Sequence, residues 1–379
     1  MKHRVRVEID LAAIRRNYER VVRHVAPAEV LCVLKAGAYG LGVGQYARSL
    51  IKAGCRRFGV AEPFEAMELM RVIEKMRSAG DGVRVQILSS VLPDEIEAMV
   101  ASGVVLPVTS AESAEAINAA AAKLGKKATV HFKIDTGMGR LGILAKDAVR
   151  TVKAVKGLER LDCEGIFSHC PVAYDPGDPF TAAQIASFSR LVARLKREGV
   201  SFRYVHVAAS DAVNNFPEAA KTPFNMVRTG INLHGSFDPN GRRALNVEPV
   251  LTLKTTVAQV RRLPAGTTLG YGRTHKLAGA AKIATISAGY ADGLPLQLSN
   301  RGSVFIGGRR CPVVGRISMD YTTVDVSAVD GVTSGDEVIC LGRCGSDAIT
   351  PDDWAEIKGT HAYDIICSLG ARVERMVRR

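Results

Sequence analysis

The chain has 379 residues, 47% of them hydrophobic and 23% charged, with a net charge of +13. That is too long for one ordinary compact domain and too apolar for a disordered chain. The positive charge is dispersed over helix-like faces such as Arg15, Arg16, Arg20 and Arg23. No basic run with interleaved aromatics and no helix-turn-helix or zinc-finger spacing accompanies it, so no nucleic-acid partner is expected. The cysteines at 32, 55, 163, 170, 311, 340, 344 and 367 form no Cys-x-x-Cys pair. They read as free thiols, not as a disulfide scaffold or a metal site. The start, Met1-Lys2-His3-Arg4-Val5-Arg6-Val7-Glu8, is charged without the apolar core of a leader, and no later stretch is long enough to span a membrane. The expectation is a cytoplasmic protein without a membrane partner.

In chain order, residues 30–34 form an apolar β-favouring run closed by the Gly-rich stretch 36–40. This predicts a buried strand with Lys35 at its exit. Burial lowers a lysine's pKa and makes its amine a nucleophile or Schiff-base former. A lysine that merely snorkels out at a strand end is the plainer alternative. From there to about residue 235, strand-like and helix-like segments alternate. Strand exits fall near Lys35, Ala61, Ser89, Thr109, Asp135, His169, Ser210 and Gly230, with amphipathic stretches at 63–79, 110–124, 146–155 and 180–197. Eight such exits predict a (β/α)8 barrel of the TIM type. An open doubly wound sheet is the alternative, although no Gly-x-Gly-x-x-Gly follows the first strand.

Beyond about residue 240 the texture changes to short β-type runs at 250–260, 282–287, 303–306, 311–314, 322–326 and 337–341. One helix over 346–369, or a pair of short ones, closes the chain, and 236–241 reads as the linker. The predicted organisation is α/β: an N-terminal barrel over 1–238, then a C-terminal mostly-β domain over 239–379.

Catalytic groups of a barrel collect where its strands finish. There the chain places Lys35; Lys133, Asp135 and Arg140; His169; Ser210; and Arg228 with Gly230. One such residue alone is usually a satisfied structural group, but the whole set on one face is hard to read so. Ser210 offers a hydroxyl, and Gly230 and Ile231 offer backbone N–H groups, at the exits where barrels tend to hold phosphate. An imine-forming lysine with a phosphate cradle is what pyridoxal phosphate demands.

The stretch Val33-Leu34-Lys35-Ala36-Gly37-Ala38-Tyr39-Gly40-Leu41-Gly42 resembles the pyridoxal-phosphate attachment motif of bacterial alanine racemases. The likeness continues through 133–142, 228–231, 269–274, 289–293, 315–320 and 359–364, and so over nearly the whole chain. The resemblance implies a homodimer with shared active sites and a small amino-acid substrate. Lys35 would hold the cofactor as an imine and act as the base on one face, with Tyr271 of the partner subunit as the base on the other. Two opposed bases are what racemisation needs. His169 would contact that tyrosine and Arg228, and Arg228 would face the pyridine nitrogen where most pyridoxal enzymes put an acid. Tyr39, Ser210, Gly230, Ile231 and Tyr363 match phosphate-binding positions. Arg140 and the backbone near Met319 match the carboxylate site, while Asp320 and Tyr290 match the substrate entrance or are simple turn residues. Lys133 matches a position carbamylated in some members; an unmodified lysine paired with an acid is the alternative. The implied reaction interconverts L-alanine and D-alanine, supplying D-alanine for peptidoglycan.

The chain departs from the family pattern at Cys170, Ala209 and Asp211, which bears on substrate range and not on the two bases. A serine or broad-range racemase, a decarboxylase of the same architecture, and a non-catalytic cofactor carrier are the rivals. Arg228 and the sequence around Tyr271 argue against the decarboxylase, and the C-terminal β segment with Tyr271 argues against the carrier.

Overall fold

The computed structural model describes residues 3–238 and 240–378. Met1, Lys2, Pro239 and Arg379, which fall at the expected chain start, linker and domain limits, lie outside the described residues. Parallel pairing runs from Met226–Thr229 to Glu29–Val33, Arg57–Val60 and Arg84–Ile87. A bridge from Gln86 to Val105 leads on to Leu106–Val108, Ala128–Asp135, Leu161–Phe167 and Tyr204–His206. Asn225 N–H donates to Val205 O at 3.1 Å and Arg228 N–H to Ala208 O at 3.0 Å, so the last strand returns to the first. The ring is the expected barrel, and the open-sheet alternative is excluded.

Helices Val43–Lys52, Pro63–Glu74, Ala111–Lys123, Ala148–Lys156 and Pro179–Arg197 follow strands on the outside. Their starts are written locally: Pro63 and Pro179 stand in first turns, and Ser110 and Asp178 accept from Ser113 N–H and Phe180 N–H. A small core of Leu31, Val33, Tyr204 and Met226, with Leu88 against it, forms apart from the large main core. Strand side chains alternate, so the residues two further on, His206 after Tyr204 and Arg228 after Met226, share that face. That face therefore turns from apolar to cationic towards the strand exits.

The strand Arg6–Asp10, on the barrel side of the expected domain limit, pairs antiparallel with Leu251–Leu263 and parallel with Glu374–Arg378. Asp10 then caps the helix Leu11–Val25, its carboxylate accepting from Ala13 N–H at 2.8 Å. Asn17 of that helix, fully buried, grips the main chain of Glu248, donating to its carbonyl at 2.8 Å and accepting from its N–H at 2.7 Å. Arg16 and Arg20 each reach the Glu248 carboxylate at 2.6 Å, so part of the dispersed positive charge is structural.

The C-terminal domain is built on the 13-residue strand Leu251–Leu263 within a nine-stranded sheet. A register shift between Val257 and Gln259 marks where its second half pairs with Ala281–Ile286. The helical segment expected over 346–369 is a pair, Pro351–Lys358 and Ala362–Cys367, preceded by the strand Asp347–Ile349. Gly359, at φ 75°, ends the first helix in the left-handed conformation an L residue resists.

Candidate active site

The turn that carries Lys35 runs left-handed. Ala36, Gly37, Ala38, Tyr39 and Gly40 have φ of 52, 60, 57, 60 and 80°, a conformation that costs an L residue roughly 1–2 kcal/mol. Contacts at both ends hold it. The Glu65 carboxylate accepts from Ala36 N–H and, at 2.7 Å, from Ala61 N–H. Arg375 Nε donates to Gly40 O at 3.0 Å. Lys35 is exposed in the single chain, which departs from the buried lysine expected at a strand exit, because the turn lifts it above the strand. Its ammonium pKa is still lowered, first by the protein packed around it and then by Arg140.

The same turn delivers Tyr39 into the barrel mouth. A β carbon on Gly230 would stand 2.0 Å from the Tyr39 hydroxyl, so any other residue there would have to displace that side chain. Ser210 opens the short helix Ser210–Asn215, and its hydroxyl accepts from Gly230 N–H at 3.0 Å. Ile231 begins the next 3-10 turn, whose first N–H groups lack intrahelical acceptors. Tyr363, from the C-terminal domain, brings its ring to 5.9 Å from that of Tyr39. Hydroxyls and N–H groups gathered in this way make a donor set for an anion. Asp211, beside Ser210, is pushed up to about 6 by burial and by Asp238, which withholds part of its negative charge near neutral pH.

Positive charge lines the rest of the mouth. Lys133 is buried, donates to Leu88 O and lies 5.5 Å from the Phe167 ring centroid. No acid bonds to it among the described residues, so the lysine–acid pair considered above is not formed. Burial, then Arg228, Arg140 and Lys35, lower it to about 8. Asp135 is engaged by its own loop, accepting from the N–H groups of Gly137, Met138, Gly139 and Arg140 at 2.8 to 3.2 Å. Burial opposes its ionisation, but these four bonds hold its pKa low. Asp135 therefore shapes the loop that presents the exposed Arg140.

Arg228 is buried and has no carboxylate partner among the described residues. Its Nη2 donates to Ser168 O at 2.7 Å, Val207 O at 3.1 Å and His169 Nδ1 at 3.3 Å, and its Nη1 to His206 Nδ1 at 2.9 Å. Burial lowers it to about 10, still cationic at neutral pH. Burial and then Arg228 lower His169 to about 3, so its ring is neutral. With Nδ1 accepting from Arg228, the proton of His169 sits on Nε2. Sequence reasoning missed His206, His131, Glu164 and Glu65. The alternation that places His131 two before Lys133 was a usable signal for His131.

The remaining expected residues form a second group on the C-terminal domain. Gly289 lies against the Ser318 and Met319 carbonyls, where a β carbon would come within 2.3 Å of both, and one on Gly270 would stand 2.8 Å from the Arg316 backbone. This packing joins the 269–274, 289–293 and 315–320 motifs into one loop cluster. Tyr271 is 74% exposed on it, Met319 52% and Tyr290 47%. Asp320 pairs with Arg372 at 2.7 Å. Arg372 holds Asp320 and the Met319 carbonyl, and none of Tyr271, Met319, Tyr290 and Asp320 hydrogen-bonds to the mouth residues among the described residues.

A closed barrel with an amine, an anion cradle and several cations at its strand exits defines an enzyme of the barrel class that handles an anionic cofactor or substrate. Family models described as "Alanine racemase, N-terminal domain" and "Alanine racemase, C-terminal domain" match residues 9–238 and 250–377. The chain belongs to the alanine racemase family. A curated alanine racemase of Methanococcus maripaludis is 36% identical over 380 residues, covering 99% of each chain. That of Geobacter sulfurreducens is 38% identical over 379 residues, covering 97% of this chain and 96% of the relative. The solved alanine racemase of Streptomyces lavendulae superposes with a TM-score of 0.91 at 32% identity, over 100% of this chain and 98% of the other. The Bartonella henselae enzyme, solved with covalently bound pyridoxal phosphate, gives 0.88 at 31% identity over the whole of both chains.

The mouth fits such a group on its own terms. The pKa of the Lys35 amine is lowered, the Tyr39 and Ser210 hydroxyls gather at Gly230, and Arg228 is buried without a carboxylate partner among the described residues. Among the described residues no cluster of three or more His, Cys, Asp or Glu suits a metal ion.

Proposed function

We propose that Lys35 and Tyr271 of the partner subunit are the two opposed proton carriers of an alanine racemase active site. The chain is an isomerase of the alanine racemase family, acting on alanine with pyridoxal phosphate as cofactor. Bound pyridoxal phosphate acidifies the substrate Cα–H by drawing electron density into its ring. Lys35 would hold it, Tyr39, Ser210, Gly230, Ile231 and Tyr363 would take its phosphate, and Arg228 would face its ring nitrogen.

Lys35, with its lowered pKa, moves a proton to and from one face of Cα. The partner's Tyr271 does so at the other face, and the Nε2–H of a neutral His169 stabilises its phenolate, since a free phenol titrates near 10. Arg140 and the Met319 backbone orient the substrate carboxylate, and Tyr290 and Asp320 line the way in. Lys133, lowered to about 8 and ringed by cations, gives up its proton more readily than an ordinary lysine and so suits a carbamate that would steady Arg140. The observation that carries this reading is Arg228, buried at the mouth without a carboxylate. It cannot accept a proton, so the ring nitrogen it faces stays neutral and proton return to Cα is favoured over side transamination.

A homodimer supplies the missing tyrosine. Tyr271, Tyr290, Met319 and Tyr321 are large exposed side chains on adjoining loops, a patch that a second copy would cover. A cytoplasmic location accords with eight free cysteines, and no helix among the described residues is long and apolar enough to cross a membrane. The deciding experiment supplies the purified protein with a panel of L-amino acids and analyses products by chirality. D-Alanine is expected; carbon dioxide release, or turnover of another amino acid alone, overturns the reading.

A further inference from the structure

Arg228 ends a line of side chains that runs back along the barrel strands. Its Nη1 lies 2.9 Å from His206 Nδ1, His206 Nε2 lies 3.0 Å from His131 Nδ1, and His131 Nε2 lies 3.1 Å from Glu164 Oε2. Arg57 Nη1 stands 3.6 Å from the same carboxylate oxygen. Arg228 is 4% exposed and both histidines are 0% exposed.

The two ends of the line fix the protons between them. A guanidinium has no acceptor, so His206 must accept at Nδ1 and carry its proton on Nε2. A carboxylate has no donor, so His131 must carry its proton on Nε2 and accept at Nδ1. These demands meet at the His206–His131 contact as one donor and one acceptor. Both rings are therefore neutral, and burial lowers the pKa of each, in keeping with that. Packing keeps them from turning. A β carbon on Gly165 would stand 2.5 Å from the His131 ring, and Phe167 stacks on His206 with centroids 4.9 Å apart and planes at 8°.

We propose that Glu164 is a positioning residue for racemisation, acting through His131 and His206 to fix the orientation of the Arg228 guanidinium. The inference rests on Arg228 facing the cofactor's ring nitrogen, as proposed above. Both terminal nitrogens of Arg228 are engaged by protein, while its Nε–H has no protein acceptor among the described residues and remains for a ligand. A guanidinium that loses His206 keeps only its Nη2 contacts and can pivot about them, which would expose the ring nitrogen to protonation and favour side transamination.

The first test needs no substitution. Apoprotein labelled with nitrogen-15 at its eight histidines should show His131 and His206 as neutral Nε2–H tautomers from about pH 5 to 8 in long-range proton–nitrogen spectra. An Nδ1–H tautomer or a charged ring at either position overturns the proposal. In the holoenzyme, Glu164→Leu should raise transamination per racemisation about tenfold, the worth of one hydrogen bond to a charged group. Glu164→Gln, which keeps an acceptor oxygen at the same reach, should restore the ratio. A ratio unchanged in Glu164→Leu but raised in Arg228→Lys overturns the relay alone. A ratio unchanged in both overturns the placement of Arg228. If Glu164→Leu fails to fold, the wild-type tautomers decide.

Discussion

A β carbon on Gly230 would stand 2.0 Å from the hydroxyl oxygen of Tyr39. Gly230→Ala should therefore displace that ring and weaken cofactor binding about tenfold, the cost of overpacking a tight site. Because the two residues collide directly, adding Tyr39→Phe should cost less than the sum of the single effects. Titration of apoenzyme with pyridoxal phosphate checks both points, and strict additivity would sink the argument.

The proposed sharing of active sites between two subunits makes a prediction about mixtures. Lys35→Ala and Tyr271→Phe homodimers should each lose at least about a hundredfold in rate. Unfolded together and refolded as hybrids, they should regain up to about a quarter of wild-type activity. Half the dimers are then mixed, and one of the two sites in each is intact. No recovery would place Tyr271 in the site of its own chain, or outside it.

Acid should destabilise the fold. His169 and His234 are held at about 3, and His131 and His206 are also lowered, all chiefly by burial, from an ordinary value of 6.5. The unfolded chain therefore takes up these protons first, and stability is lost as pH falls below 6.5. Glu164, held at about 2 against its burial by His131 and Arg57, adds to the loss below about pH 4.5. Asp211 and Asp352, raised to about 6 by burial, act in the opposite direction. Four imidazoles outweigh two carboxylates, so Tm should fall steadily from pH 7 to 4 in calorimetry. A flat profile contradicts the neutral assignments.

Lys133, at about 8, is deprotonated in roughly one molecule in ten at pH 7, the form that reacts with carbon dioxide. Enzyme equilibrated with carbon-13 bicarbonate should show a carbamate resonance that disappears in Lys133→Ala. Absence of the resonance in the wild type would leave Lys133 as a buried cation donating to Leu88 O.

Legibility in the sequence followed the range of the contacts. Lys35 could be found because an apolar run and a glycine turn flank it within a few residues. The left-handed turn could not, since Ala36, Ala38 and Tyr39 are not residues that announce a positive φ. His206 sits in a strand of three residues, too short to show alternation. Glu164 acts through partners contributed by other strands, which pairing alone brings near. The Arg6–Asp10 strand was missed because both its neighbours come from the far half of the chain.

That strand has a consequence for how the protein is made. Synthesis delivers Arg6–Asp10 long before its outer neighbour Glu374–Arg378, so the sheet stays unfinished until that late segment has emerged. The clasp of Arg375 on Gly40 arrives at the same late moment. A nascent barrel thus holds its lysine turn without one of its two grips until this long-range contact forms.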